Sequence, residues 1–182
     1  MKYVQPIRDR QIIGKIKQIL KNQSLRNYFL FVLGINTGLR IGDLLKLKVE
    51  HVRNKSHISL SEEKTGKIKR FRLNPAIQDE IATYTRDKRE NEYLFASRTG
   101  RKTKPISRVM AYNILKCAGR QVGLSEIGTH TLRKTFGYHF YLETKDAALL
   151  QQIFNHSAPS VTLRYIGINQ DVQDRAIENF SL

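Results

Sequence analysis

Two stretches of the 182-residue sequence set cations, imidazoles and a phenol at spacings suited to work on a phosphate. In THTLRKTF, His130 and Arg133 stand three residues apart, which on a helix places both on one face. In NHSAPSVTLRY, His156 precedes Tyr165 by nine residues, across a turn marked by Ser157, Ala158 and Pro159. Arg40 opens a helical run upstream, and Lys64 lies in a turn between two strand patterns. A phosphodiester attacked by a side-chain oxygen passes through a pentacoordinate state that gathers charge on its non-bridging oxygens. Guanidinium groups suit that charge without a metal, because they present several donors in a fixed fork and stay charged. Tyrosine suits the attack. Its phenol, of pKa ~10, ionises more readily near positive charge, and a phenolate leaves well enough to make the step reversible. The bond energy then stays in the phosphotyrosine, so no ATP is needed. Taken singly, each residue has an ordinary structural reading: HxxR pairs arise by chance, and Tyr165 is one of eight tyrosines.

Other chemistries find less support. There is no GxxxxGK[ST] phosphate loop, and the histidines at 51, 57, 130, 139 and 156 show neither HExxH nor finger spacing. The one carboxylate grouping that could hold a hard cation is Asp43 with Glu62, Glu63 and Lys64, a pattern like that of restriction-type nucleases. It is weakened because Asp43 falls in a helical pattern where a strand is required. No metal and no cofactor are therefore expected. Lys and Arg number 32 against 16 for Asp and Glu, a net charge of +16. Such an excess repels itself in the folded chain and points to a polyanionic partner, double-stranded DNA before a membrane surface. The lone Cys117 excludes an internal disulfide and a thiolate zinc cluster, and within MAYNILKCA it reads as a small buried residue. MKYVQPIRDRQ lacks the apolar core of a signal peptide, and no stretch approaches the ~20 apolar residues that span a bilayer. A reducing cytoplasm fits these features.

The elements that must position these residues follow from periodicity. Ile12, Ile13, Ile16, Ile19 and Leu20 recur at helical spacing between Arg8 and Leu20. Ser24 can cap a second helix, LRNYFLFVLGIN, that is apolar nearly all round and so central, and Thr37-Gly38 breaks it. RIGDLLKLK is a short helical run with Ile41, Leu44, Leu45 and Leu47 facing inward. The period then changes: His57–Leu60 and Lys67–Leu73 read as strands around a turn-forming stretch, Glu62 to Gly66. Asn74-Pro75 caps a helix with Ile77, Ile81 and Tyr84 on its inner stripe. Residues 97–107 form a polar loop carrying Arg98, Arg101, Lys102 and Lys104. Helices follow at 108–122, 130–143 and 146–155, with a short piece from 159 and an amphipathic DVQDRAIENF. The expected fold is α+β: one mostly helical domain over 1–182, with a small antiparallel sheet near 48–74. Lys67, Arg101, Lys102, Lys104 and Lys134 are the expected DNA-contacting cations.

In this order the pieces resemble the tyrosine recombinase (phage integrase) family over roughly residues 8 to 170. TGLRIGDLLKL is similar to that family's first-arginine box, with Arg40 as the arginine and Asp43 at the acidic position. Lys64 in EKTGKIKRFRL matches its catalytic lysine, HTLRKTF its HxxR box, and FNHSAPSVTLRY its His/Trp position and nucleophile. The resemblance implies that Tyr165 forms a 3′-phosphotyrosine and frees a 5′-hydroxyl. Arg40 and Arg133 would hold the non-bridging oxygens, with a further hydrogen bond from His156. His130 would take or relay the tyrosine proton, Lys64 would protonate the leaving oxygen, and Asp43 would brace the arginine. It further implies a monomer that assembles on DNA as a tetrameric synapse, encoded by a bacterium, phage or mobile element. The chain departs from the family pattern in having Asn155 where glycine usually precedes the histidine, and Gly42 in place of a serine-like residue. The family's N-terminal DNA-clamping domain is either removed here or lacking, as in the short recombinases that invert promoters. Two rivals remain: a metal-dependent nuclease using Asp43, Glu62 and Lys64, and a basic DNA-binding module with idle catalytic residues. A nicking-closing topoisomerase would share the recombinase chemistry.

The charge leads to the first prediction. Binding of this chain to duplex DNA should weaken steeply with salt, because each phosphate contact releases condensed counterions. A titration of affinity against salt concentration checks it, and a nearly flat response would contradict the electrostatic reading.

Overall fold

The computed structural model of the chain describes residues 4–61, 68–98, 103–178 and 180–181. Helix α1 (Arg10–Gln23) begins two residues after Arg8, because the Asp9 side chain accepts from the Gln11 amide at 2.7 Å and fixes the start there. The segment before it is not helical. It lies against a later helix, where the Ile7 amide donates to Thr135 Oγ1 at 2.9 Å and Ile7 O sits 3.0 Å from His139 Nε2.

Helix α2 (Leu25–Thr37) is the centre of the molecule. Phe29, Leu30, Phe31, Val32 and Leu33 are all buried, as its apolar circumference requires, and α1, α4 and α6 pack around it. Ser24 stands at its N-cap, but the hydroxyl makes no capping hydrogen bond. At its other end Gly38 takes φ 63°, ψ 17°, and the next helix, α3 (Ile41–Leu45), starts almost at once. α3 is shorter than RIGDLLKLK suggests. Leu44, Leu45 and Leu47 are buried, with Leu47 beyond the helix, and Lys48 pairs with Tyr93 in an isolated bridge.

Strands β1 (His57–Ser61) and β2 (Ile68–Arg72) form an antiparallel pair in the register His57 to Arg72. In α4 (Pro75–Thr85) the Asn74 side chain accepts from the Ile77 amide at 2.9 Å, with proline in the first turn. After the polar loop come α5 (Arg108–Gln121), α6 (Thr129–Thr144), α7 (Ala147–Phe154), α8 (Pro159–Ile166) and α9 (Ile168–Glu178). The architecture is α+β and mostly helical. Among the described residues no helix is long and apolar enough to cross a membrane.

Cys117 is exposed, contrary to the buried placement its setting suggested. The buried stripe of α5 is Ala111, Ile114, Leu115 and Ala118, and Cys117 falls on the opposite side with Asn113 and Arg120.

The core has two parts. The larger surrounds α2; the smaller contains Tyr138, Leu150, Phe154 and Ile166 from α6, α7 and α8. Helix α6 joins them, with Leu132 in the first and Tyr138 in the second. The corner at Gly38 ties α2 to α3 beside α6. A Cβ there would lie 2.4 Å from Phe136 Cδ1, and its left-handed backbone would be strained for any L side chain. Gly38→Ala should therefore lower stability by at least about 1–2 kcal/mol, the cost of the left-handed conformation alone. Denaturant midpoints check this; an unchanged midpoint would mean that the corner relaxes freely.

Candidate active site

Arg40 caps the start of α3, immediately past the Gly38 corner, and its side chain is exposed. Arg133 is 5% exposed, one turn into α6. Its Nη1 donates to Gly38 O at 2.6 Å and its Nη2 to Phe154 O at 2.8 Å. The guanidinium carbon lies 3.9 Å from the centre of the Phe154 ring. Two carbonyls and an aromatic face thus set the plane of the fork before any ligand arrives.

Phe154 ends α7, and Asn155 then takes φ 52°, ψ 48°. Asparagine visits this left-handed region more readily than other non-glycine residues, so the turn forms without the family's glycine. The turn is closed by the Gln151 side chain, which donates to His156 O at 2.7 Å. His156 Nδ1 lies 3.0 Å from Thr162 Oγ1, and its ring meets Tyr165 edge-on at 5.1 Å between centroids.

Tyr165 occupies the last turn of α8, against Phe154 with ring centres 5.8 Å apart. Its hydroxyl is 3.2 Å from His130 Nδ1 and is also hydrogen-bonded by Arg133. Burial pushes the Tyr165 phenol above its usual range, while Arg133 and Arg40 pull the other way. Positive charge does favour the phenolate here, as expected from sequence, but burial outweighs it. His130 is held below the usual imidazole range, first by partial removal from water and then by Lys134, Arg133 and Arg40. A neutral imidazole therefore stands beside a protonated phenol, the pairing a proton transfer from tyrosine needs.

A cleft of about 170 Å³ opens beside this group, lined by Arg40, Gly42, Asp43, Arg108, His130 and Arg133 among others. Asp43 is half-buried and also lines a smaller hollow with Arg40, Arg133 and Ser61. Arg108, not singled out from sequence, enters through Gly42. A Cβ at that glycine would lie 2.5 Å from Arg108 Nη2, so the missing side chain makes room for a third guanidinium. The available signal was its place on the first turn of a helix directly after a basic loop.

The structure brings Arg40, Asp43, His130, Arg133, His156 and Tyr165 together. Lys104 is exposed on the polar loop. Lys64, with Glu62, Lys67, Arg101 and Lys102, lies outside the described residues. Lys134, expected among the DNA-facing cations, is buried instead. It is the next residue after Arg133 on α6 and faces α8, with its ammonium 5.1 Å from the centre of the Tyr165 ring. Burial, and after it the nearby Arg8, lower its pKa. Among the described residues, no three His, Cys, Asp or Glu side chains gather as metal ligands would.

The fold agrees with comparison to known proteins. The chain belongs to the phage integrase family, whose model it matches over residues 8–171. It is 53% identical over 180 residues to the probable integrase/recombinase YoeC of Bacillus subtilis, covering 99% of this chain and 98% of that protein. It is 25% identical to the tyrosine recombinase XerA of Pyrococcus furiosus, covering 93% of this chain but 60% of the relative. The same fold occurs in the XerH recombinase bound to palindromic difH in a post-cleavage complex, with TM-score 0.75 at 17% identity. That match covers 98% of this chain and 54% of XerH. A XerA crystal structure gives TM-score 0.74 at 19% identity, covering 98% of this chain and 65% of that one.

The lowered His130 pKa leads to a pH prediction. The folded chain holds this imidazole less protonated than the unfolded chain does, so the stabilising contribution is present above about pH 6.5 and is lost as pH falls through the folded pKa. The imidazole resonance of His130 should titrate below 6.5 and move upward in Arg40→Ala. A midpoint at or above that value would contradict the electrostatics described here.

Proposed function

We propose that this chain is the catalytic domain of a site-specific DNA recombinase that cuts and rejoins double-stranded DNA through a 3′-phosphotyrosine on Tyr165. One observation carries the reading: the Tyr165 hydroxyl meets His130 Nδ1 at 3.2 Å and Arg133 together, beside the cleft that Arg40 and Arg133 line. The Tyr165 oxygen attacks the scissile phosphorus while His130 takes its proton. The bond from phosphorus to the 5′-oxygen breaks, and that oxygen leaves with a proton as a 5′-hydroxyl. Arg40 and Arg133 hold the non-bridging oxygens as charge builds on them, and His156 adds a hydrogen bond there. A 5′-hydroxyl from another strand then attacks the phosphotyrosine, reforming a phosphodiester and returning the phenol.

Lys64 is the donor to the leaving 5′-oxygen in this reading. Its match to the family's lysine supports that role, as does Ser61, three residues earlier, which lines a hollow with Arg40 and Arg133. Asp43 supports Arg40. Lys67, Arg101, Lys102 and Lys104 contact DNA phosphates, and the burial of Lys134 turns it toward Tyr165 instead. No metal or cofactor takes part in the proposed steps. The whole of residues 1–182 is one catalytic domain, monomeric alone and joined by further copies on DNA. A λ integrase of the same fold, TM-score 0.69 at 19% identity, is a dimer bound to a core site, which supports assembly of that kind. The chain acts in the cytoplasm of a bacterium, on chromosomal or mobile-element DNA.

The test uses nicked duplexes of randomised sequence, with covalent protein–DNA adducts captured on denaturing gels in the presence of EDTA. The wild type should yield an adduct on Tyr165, and Tyr165→Phe should yield none while keeping its salt-dependent binding. Adduct formation by Tyr165→Phe would move the nucleophile elsewhere, with Tyr138 and Tyr141 the next to test. Cleavage seen only on adding Mg²⁺, without an adduct, would favour the nuclease.

A further inference from the structure

Tyr165 stands two residues before a corner at which α8 ends and α9 begins. Gly167 makes that corner at φ 86°, ψ 7°. No residue of α9 is buried, and beyond Ile168, which packs on the smaller core, the helix has little apolar hold on the molecule. Its direction is set by charge. Asp171, in the first turn, accepts from Arg8 Nε at 2.8 Å and lies 2.7 Å from Arg8 Nη2, with side-chain exposures of 13% and 34%. Tyr138 of α6 also hydrogen-bonds Asp171, and the Arg8 guanidinium lies 5.5 Å from the centre of the Tyr138 ring. Arg8 Nη1 donates to Gln5 Oε1 at 3.2 Å. The guanidinium sits against the corner itself: Arg8 Nη2 is 2.9 Å from the point a Cβ on Gly167 would occupy.

Arg8 is itself anchored. Ile7 is bonded through its backbone to Thr135 and His139 of α6, and the Gln5 amide donates to Glu126 O at 2.9 Å. One carboxylate therefore joins three pieces: the N-terminal segment, the α6 helix that carries His130 and Arg133, and the corner that follows Tyr165. We propose that the Arg8–Asp171 pair is a latch that positions Tyr165 against His130 and Arg133, so that the N-terminal segment governs whether the nucleophile is in place. Neither residue touches the reacting atoms; both are positioning residues. The inference rests on the recombinase reading for its effect on catalysis, but the latch itself can be read without it.

Displacement of a nucleophile by about 1 Å can cost on the order of 100-fold in rate. Asp171→Asn, which keeps shape and loses charge, and Arg8→Ala should each slow adduct formation by roughly 10- to 100-fold on the duplex recovered in the capture above. Affinity for that duplex should stay within about twofold, since the cations proposed to contact phosphates are Lys67, Arg101, Lys102 and Lys104. Arg8→Lys should recover part of the rate, and the charge-swapped Arg8→Asp/Asp171→Arg pair should exceed both single swaps. Amide hydrogen exchange supplies the readout that needs no DNA. Residues 160–171 should exchange about tenfold faster or more in Asp171→Asn, as loss of a charge-assisted hydrogen bond implies, while α2 stays protected. An unchanged adduct rate overturns the proposal whatever the exchange shows, as does a rate loss matched by loss of protection in α2, which would be unfolding. If the wild type captures no duplex, the recombinase reading fails, and unchanged exchange at 160–171 would overturn the latch separately.

Discussion

The buried guanidinium of Arg133 is the interaction on which the site depends. By donating to Gly38 O and Phe154 O it pins the end of α2 and the end of α7 to one side chain of α6. Hydrogen bonds from a charged donor contribute about 1.5–3 kcal/mol each, and removing a buried charge from such partners leaves carbonyls stranded. The two carbonyls sit at the corners that lead to Arg40 on one side and to His156 and Tyr165 on the other. The same group that faces the cleft therefore also sets the backbone that presents the remaining site residues.

A second constraint comes from the opposition of burial and charge around the phenol. Burial alone would make Tyr165 a poor nucleophile by holding its proton, and the arginines only partly offset this. The fold answers by lowering the His130 pKa, first through burial and then through the neighbouring cations, so that a free imidazole is available at neutral pH. The cations thus act twice, on the group that gives the proton and on the group that receives it.

Much of this was legible in the residues. Helical spacing located α2 as the central helix, Asn74-Pro75 located the start of α4, and HTLRKTF placed His130 and Arg133 on one face. These are local signals, carried by period and capping. What was missed depends on how elements meet. Lys134 is one residue from Arg133, and only the packing of α6 on α8 decides that it is buried with its ammonium beside the Tyr165 ring. Arg108 reaches the cleft because Gly42, far away in sequence, leaves a gap. Cys117 missed the buried stripe of its helix by one position, a 100° rotation that composition does not reveal. The bond from Ile7 to Thr135 spans most of the chain and has no local signature.

Phe154 carries no group that could act on a phosphate, yet its ring underlies the chemistry. It faces the Arg133 guanidinium at 3.9 Å and meets His156 and Tyr165 edge-on at 5.4 and 5.8 Å. One flat, rigid hydrocarbon ring is thus the common neighbour of three polar side chains, facing the guanidinium and meeting the other two edge-on. The identity of this residue is accordingly governed by the shape of its ring as well as by its burial in the smaller core. In a mutational survey position 154 would behave as though it were part of the reaction, tolerating other aromatics and rejecting aliphatic residues of equal hydrophobicity.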